Sequence, residues 1–362
     1  MELAAAGQMM PGRSGLTHNV AMGQRIATTV SPAGATIAYA TAGSGPLLVY
    51  VSGWLSHLDL SWALPAERAF YETLADGRRL IRYDKPGCGL SGRATPEPYT
   101  MDRELDALRA VLATTGAGRF DLMGVSSGAA VAAAWAGRHP ETVSRLVLYG
   151  GWPHGPAVAA PEIQRHVLGL VRQHWGLASD LLADLFAPDA DAGTRAAFTR
   201  YQRESASAET ACAMLLMAYG TDVLDLLGRI AAPTLVVHRE RDRAAPIAQG
   251  RRLADGIPRA RFVAIPGRSH LPYVGEVEPL VREIRRFLGL PVRRRGVAPA
   301  LTARQHEVAA LVARGCTNRE IGERLGIAER SAEAHVERIR LRLDFRSRAQ
   351  IAAWYVAAGG AN

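Results

Sequence analysis

Gly124-Val125-Ser126-Ser127-Gly128 sets a serine at the centre of a Gly-x-Ser-x-Gly turn. A hydroxyl is a weak nucleophile until a base removes its proton and a carboxylate orients that base. The apolar run Phe120–Met123 before the turn and the small residues Gly128 to Ala134 after it read as strand, sharp turn and helix. Such a turn strains the serine's backbone, and the two glycines leave space where strand and helix crowd it. Ser126 is therefore the expected nucleophile. Ser127 offers a backbone N–H at a helix N-terminus, where developing negative charge is favoured. Downstream, the strand Thr234–His238 runs into Arg239-Glu240-Arg241-Asp242, and the strand Arg261–Ala264 into Pro266-Gly267-Arg268-Ser269-His270. Asp242 is the expected acid, with Glu240 as the alternative, and His270 the expected base. The loop Ser52-Gly53-Trp54 after Leu47–Val51 supplies the rest: Gly53 allows close approach, and Trp54 N–H joins Ser127 N–H as an oxyanion donor pair. The chemistry expected of such a set is acyl transfer.

A second constellation lies near the other end of the chain. Thr302-Ala303-Arg304-Gln305 and Thr317-Asn318-Arg319-Glu320 each pair a capping threonine with an amide or carboxylate three residues on, which specifies two helix starts. Gly315 and Gly326 mark the stops that follow them. In a third helix Ala332, Val336, Ile339 and Leu343 recur at helical spacing as one inward stripe, while arginines stud its other faces. With Val308, Leu311, Ile321, Leu325, Ile327 and Ile351 they make a four-helix core. A small helical unit with an arginine-studded third helix suits docking in the major groove of DNA.

Elements that position the serine alternate between strand and helix from about residue 24 to 289, the rhythm of an α/β sheet domain. Expected strands are Gln24–Thr29, Thr36–Thr41, Leu47–Val51, Arg79–Tyr83, Phe120–Met123, Arg145–Leu148, Thr234–His238 and Arg261–Ala264. Between Trp152 and Ile230 that rhythm gives way to helical stretches, Pro161–His174, Ala178–Phe186 and Ala208–Leu227 among them, which read as a cap over the sheet. The expected organisation is a disordered tail over 1–22, an α/β domain over 23–290 with its cap at about 152–231, a linker over 291–299 and a DNA-binding domain over 300–362. Trp152, His154, Trp175, Met214 and Met217 are candidates, with Gly53, for the walls of a ligand pocket.

Charge supports the division. Net charge is +9, of which +6 falls in Pro291 to Asn362, where 13 Arg face 7 Asp or Glu. Lys85 is the one lysine, so the bias is guanidinium, which forks onto phosphate or guanine. Cys88, Cys212 and Cys316 lack metal-ligand spacing and read as buried or free thiols. No metal or organic cofactor is expected. An apolar run of membrane-spanning length is absent from the sequence, as is a signal-peptide pattern, so a cytoplasmic protein without membrane contact is expected.

From about Gln24 to Leu288 the chain resembles the α/β-hydrolase fold, and more narrowly the hydrolase-like domains fused to bacterial cyclase or regulatory modules. Ser56-His57-Leu58-Asp59, Arg82-Tyr83-Asp84-Lys85-Pro86-Gly87-Cys88-Gly89-Leu90-Ser91 and Ile257-Pro258-Arg259-Ala260-Arg261-Phe262 carry that likeness. Ser52-Gly53 stands where many relatives have His-Gly or Pro-Gly. The C-terminal segment resembles the LuxR/GerE-type helix-turn-helix through Leu301-Thr302-x-Arg304, Glu307-Val308, Gly315-x-Thr317-Asn318-x-Glu320-Ile321 and Ser347-Arg348-x-Gln350. This second resemblance implies transcriptional regulation as a homodimer on a pseudo-palindromic site. DNA-facing positions then fall on Thr317, Asn318, Arg330, Ser331, Ala334, His335, Arg338 and Arg342, with His335 a packing or phosphate residue. Glu333 and Ala334 replace the usual Lys and Asn, and Ala328 replaces the usual Ser or Thr cap.

Together the two halves read as a transcriptional regulator whose hydrolase-like domain senses, and in one version hydrolyses, a small apolar ester or lactone. The alternative is a serine ester or lactone hydrolase whose DNA-binding tail is secondary.

Overall fold

The computed structural model describes residues 23–93, 98–291, 301–343, 345 and 347–357. The expected tail over 1–22 and nearly all of the expected linker lie outside the described residues. The chain divides into two compact units that meet between Leu290 and Pro291.

In the first unit, strands β1 (Arg25–Val30), β2 (Thr36–Ala42), β3 (Leu47–Val51), β4 (Arg79–Tyr83), β5 (Phe120–Val125), β6 (Val143–Tyr149), β7 (Thr234–Arg239) and β8 (Ala260–Ile265) form one sheet. Each agrees with an expected strand to within two residues at either end. Their order is β1-β2-β4-β3-β5-β6-β7-β8, with β2 antiparallel to both its neighbours, β1 and β4, and β3 to β8 parallel. The central strands are apolar at nearly every position because both faces are covered. Helices α1 (Leu58–Ala63), α2 (Pro65–Ala75), α3 (Met101–Ala113) and α4 (Ser127–Arg138) precede the cap. The cap holds α5 (Pro161–Gln173), α6 (Trp175–Phe186), α7 (Ala192–Ser205) and α8 (Ala208–Gly220), and α9 (Leu224–Leu227), α10 (Ile247–Gly256) and α11 (Val277–Phe287) follow.

Alternation along the strands divides the core. Val49, Leu122 and Leu148 join Leu108 of α3, Val131 of α4 and Leu253 of α10 on one face. Tyr50, Met123 and Tyr149 join Phe70 of α2 and Ile284 of α11 on the other. Strands β4 and β5 depart from the flanks of β3 in opposite directions, so a crevice opens beyond the carboxyl ends of β3 and β5, where ligands bind in sheets of this kind.

Two features depart from the expected layout. The stretch Ala208–Leu227 is not one helix: Thr221 turns extended after α8, and the Asp222 carboxylate accepts from Leu224 N–H at 3.0 Å to start α9. Val223 and Leu227 return to the sheet's core. Helix α7 was not anticipated, although Asp191 caps it by accepting from Thr194 N–H at 2.9 Å.

The second unit holds α12 (Ala303–Ala313), α13 (Asn318–Leu325), α14 (Glu329–Arg342) and α15 (Arg348–Ala357). Both expected capping boxes form, at Thr302/Gln305 and Thr317/Glu320. Gly326 ends α13 at φ 64, in the left-handed region that favours glycine. Val308, Ile321, Ala332, Ile339 and Ile351 are fully buried in the common core. No described helix is long and apolar enough to cross a membrane.

Candidate functional site

Ser126 stands between β5 and α4 at φ 55, ψ −129, the one non-glycine among the described residues with positive φ. Such a conformation costs on the order of 1–3 kcal/mol and persists only when its surroundings impose it. Ser126 N–H donates to Tyr149 O at 2.8 Å, which ties the turn to β6. A Cβ on Gly124 would lie 2.4 Å from Gly128 O, and one on Gly128 would lie 2.1 Å from Ser52 O. The two glycines of the motif are thus required by close approach, Gly124 to the first turn of α4 and Gly128 to the end of β3 and the loop after it.

The three expected side chains meet. His270 Nε2 lies 2.8 Å from Ser126 Oγ, and His270 Nδ1 lies 2.7 Å from Asp242 Oδ2. With its proton on Nδ1, the imidazole donates to the carboxylate and presents Nε2 to accept from the serine hydroxyl. Asp242 follows β7 and His270 follows β8, so strand ends carry both. Asp242 Oδ1 accepts from Ala244 N–H at 2.9 Å and Ala245 N–H at 3.1 Å, which fixes the carboxylate's plane. Burial opposes ionisation of this carboxyl. The charge and hydrogen bond of His270, with Ala245 N–H, outweigh burial and hold it below its ordinary value. His238 lies 3.7 Å from Asp242 Oδ2, but burial lowers its pKa, and its Nε2 donates to Ala245 O at 2.9 Å. The proximity of His238 still adds to the effect of His270 in holding the Asp242 carboxyl low. Phe186 of α6 accepts His270 N–H on its carbonyl at 2.7 Å, coupling the base's loop to the cap. Glu240, the alternative acid, takes no part in this chain of hydrogen bonds; its N–H continues the sheet by donating to Ile265 O.

Gly53 packs against Ser126, since a Cβ there would lie 3.2 Å from the serine Cβ. The Trp54 indole donates to Ala211 O at 3.0 Å, anchoring the loop after β3 to α8. Ser127 is the first residue of α4, so its N–H has no partner within the helix. A cavity of about 70 Å³ adjoins these groups and is lined by Gly53, Trp54, Ser126 and His270.

The rest of the cavity wall was not foreseen. Phe186, Phe198 and Leu271 form an apolar part, while Tyr50, Glu67, Tyr71, Tyr201, Gln202 and Tyr273 form a polar one. Glu67 is 4% exposed, and Tyr71 donates to its Oε1 at 2.7 Å. Burial pushes its carboxyl up to about 7 despite the hydroxyls of Tyr71 and Tyr273 and the charge of Arg82. A signal was present: Glu67, Phe70, Tyr71 and Leu74 share the inward stripe of α2, where a carboxylate is out of place.

The five cap residues expected to wall the pocket are not among its lining. Trp152 donates to Ala218 O at 3.2 Å and packs with Val158 and Ala245. His154 meets Asp222 at 3.1 Å, partly exposed. Trp175 meets Trp54 edge-on at 5.7 Å and donates to Ala206 O. Met214 is buried against Cys88 Sγ at 3.4 Å, and Met217 lines a separate groove with Met101 and Val223. These side chains join the cap to itself and to the sheet domain, which consumes the apolar surface that a ligand would otherwise meet.

On the helical unit, Arg330, Ser331, Ala334 and Arg338 are exposed on α14, and His335 is half-buried. Burial, with Arg338 and Arg304, lowers the His335 pKa. Arg338 Nε donates to Ala334 O at 3.0 Å. Thr317 is occupied by its capping box, and Asn318 Oδ1 accepts from Arg348 at 2.6 Å, so both also hold the fold together. Arg342 ends α14, and its side chain lies outside the described residues.

Comparison with known proteins gives two family matches: alpha/beta hydrolase fold over residues 46–277, and bacterial regulatory proteins, luxR family, over 299–355. A pimeloyl-[acyl-carrier protein] methyl ester esterase of Chromobacterium violaceum is 29% identical over 260 residues, covering 68% of this chain and 96% of that protein. A 2-hydroxymuconate semialdehyde hydrolase of Pseudomonas putida is 30% identical over 233 residues, covering 58% of this chain and 77% of that protein. Among solved structures, an enol-lactonase from Burkholderia xenovorans LB400 superposes with TM-score 0.61 at 22% identity, covering 73% of this chain and all of that one.

Proposed function

We propose, from the premise that this chain belongs to the α/β-hydrolase family and ends in a LuxR-family DNA-binding domain, that it is a transcriptional regulator which binds and cleaves a small, mainly apolar ester or lactone at Ser126. The observation that carries this reading is the hydrogen-bonded chain from Ser126 through His270 to Asp242, on the same polypeptide as α14. The naming of relatives as esterase and hydrolase supports turnover rather than binding alone.

In the reaction, Ser126 Oγ attacks the acyl carbon while His270 Nε2 takes the hydroxyl proton. Asp242 holds the imidazole in the required tautomer and stabilises the imidazolium. Trp54 N–H and Ser127 N–H receive the developing oxyanion. His270 then gives the proton to the leaving alkoxide, and water deacylates the serine by the same route. A ligand that alters DNA binding must favour one of two states of the protein, since equal affinity for both shifts nothing. The protein would act as a homodimer in the cytoplasm, α14 entering the major groove with Arg330 and Ser331 at its leading end. Arginines of the C-terminal unit would supply the salt-dependent part of the affinity.

The test pairs two assays. A fluorophosphonate probe should label the wild type and not Ser126→Ala, and short-chain ester turnover should disappear with the label. DNA fragments selected from a random pool should be bound by the same protein with sequence preference at moderate salt, and a cleavable ligand should change that affinity. Absence of labelling removes Ser126 as an activated nucleophile. Tight ligand binding with negligible turnover leaves a receptor, and turnover without sequence-dependent DNA binding leaves a hydrolase.

A further inference from the structure

The mechanism above makes no use of the polar end of the Ser126 cavity, where two buried side chains each hold an unpaired acceptor. Glu67 is 4% exposed, and its Oε2 accepts no hydrogen bond among the described residues. Gln202 is 1% exposed; its Nε2 donates to Ser179 O at 2.9 Å, which fixes the amide's orientation and leaves Oε1 unpaired. Both side chains line the cavity that Ser126 and His270 line. Of the neighbouring hydroxyls, Tyr71 donates to Glu67 Oε1 at 2.7 Å and Tyr201 to Leu55 O at 3.3 Å, while Tyr273 favours the ionised carboxyl without closing a hydrogen bond on Oε2. Arg82 does not pair with the carboxylate either. Its guanidinium stacks 3.9 Å from the Tyr71 ring centroid and donates to Ser61 Oγ and Gln24 Oε1. Glu67 Oε2 and Gln202 Oε1 thus remain acceptors to which no donor is bonded.

Buried acceptors without partners are costly, and a site that contains them rejects ligands unable to donate. We infer that Glu67 and Gln202 form an acceptor subsite for a hydrogen-bond donor, a hydroxyl or an ammonium group, on the acyl part of the ligand cleaved at Ser126. This inference rests on reading Ser126 as the acyl acceptor, and it replaces a uniformly apolar acyl group with one bearing a donor. Phe186, Phe198 and Leu271 still accommodate the carbon chain. Burial raises the Glu67 carboxyl to about 7, so the carboxylate that accepts from such a ligand predominates above that pH.

The experiment compares kcat/KM for p-nitrophenyl butyrate, 3-hydroxybutyrate and 3-aminobutyrate, each corrected for its reactivity toward hydroxide. In the wild type at least one donor-bearing ester should exceed butyrate by about tenfold or more, the effect of one hydrogen bond to a charged acceptor. Glu67→Leu should bring that ratio to within about twofold of one, the level expected when the donor meets no partner. Glu67→Gln should lose preference for the ammonium and retain it for the hydroxyl, which a merely structural role would not produce. A wild-type ratio near one, or a ratio unchanged in Glu67→Leu, overturns the subsite. Should Glu67→Leu fail to fold, Glu67→Gln decides through the ammonium ester alone. Binding of the same esters to Ser126→Ala, followed by tryptophan fluorescence, separates this inference from the proposed function. Selective binding without wild-type turnover sinks acyl transfer and keeps the subsite, whereas equal turnover and equal binding of all three do the reverse.

Discussion

In the α/β unit the hydrogen-bonded side chains come from the ends of three strands, and Ser126 and His270 are 144 positions apart. In the helical unit Arg330, Ser331, Ala334 and Arg338 lie on one helix, and its period alone sets their spacing. The first arrangement depends on sheet order and on backbone approaches as close as those at Gly124 and Gly128; the second depends on a helix start and a buried stripe. Burial differs as well. Ser126 is 9% exposed and His270 3%, whereas the α14 residues named above stand in solvent. Single substitutions should therefore act steeply and locally in the first unit and gradually in the second, where charges are screened and contacts are additive.

The largest effect expected under this contrast is Asp242→Asn. An amide there can turn an N–H toward His270 Nδ1, which forces the imidazole proton to Nε2 and removes the acceptor for Ser126 Oγ. A fall in kcat of about 10⁴-fold is expected from loss of the correct tautomer. Affinity for DNA in the absence of ligand should stay within a factor of about two, the scatter of a distant and uncoupled site. Ester hydrolysis and DNA titration on one preparation check both halves. Near-wild-type turnover would detach Asp242 from the relay.

A smaller effect should appear at the polar end of the cavity. Glu67 carries a folded-state pKa of about 7 against an ordinary 4.5, so between those values the folded protein binds more protons than the unfolded one. The wild type therefore has this contribution in full below about 4.5 and loses it as pH rises through about 7. That loss amounts to about 3 kcal/mol at most, from the conversion of pKa shift to free energy. Glu67→Gln cannot ionise, so its stability relative to wild type should rise between pH 5 and pH 8. Urea unfolding followed by tryptophan fluorescence is the measurement, since Trp54, Trp62, Trp135, Trp152 and Trp175 all lie in the α/β unit. An unchanged difference between the two proteins across that range would mean that Glu67 titrates normally.

Legibility in the sequence follows the same division. Gly-Val-Ser-Ser-Gly, an acid after one strand and a histidine after the next are local patterns, and the sheet order turns them into a site. The buried central strands could be read because they are short apolar runs with turn residues at their ends, and the more exposed edge strands β1 and β8 from their β-branched and aromatic residues. The cavity wall could not be read in this way. Trp152, Trp175, Met214 and Met217 are the residue types that line apolar pockets, but α8 is apolar around most of its circumference, so its pattern does not say which face meets a ligand. Phe198, Tyr201 and Gln202 come from α7, whose arginines and polar residues hid the helix in a segment read as cap without assigned elements. Glu67 was legible in principle as the misplaced carboxylate of an amphipathic stripe. In the helical unit both capping boxes could be read directly, since each is satisfied by residues three apart.

The smallest effect tests whether α14 is governed by local rules alone. Its N-cap, Ala328, has the extended backbone of a capping residue at φ −62, ψ 145, yet makes no side-chain hydrogen bond. The geometry is ready and the acceptor is absent. Ala328→Ser should place a hydroxyl oxygen over the free N–H groups of the first turn and stabilise the helix by about 1 kcal/mol. The gain should be confined to the helical unit, raising hydrogen-exchange protection of α14 amides and leaving ester turnover as it was. DNA affinity then discriminates between two roles for the start of α14. If the helix only has to be formed, firmer capping tightens binding in proportion to the stability gained. If Arg330 and Ser331 require the first turn to adjust on the groove, the cap raises protection while weakening binding, and the rule of one helix acting by itself fails at the position where that helix should touch DNA.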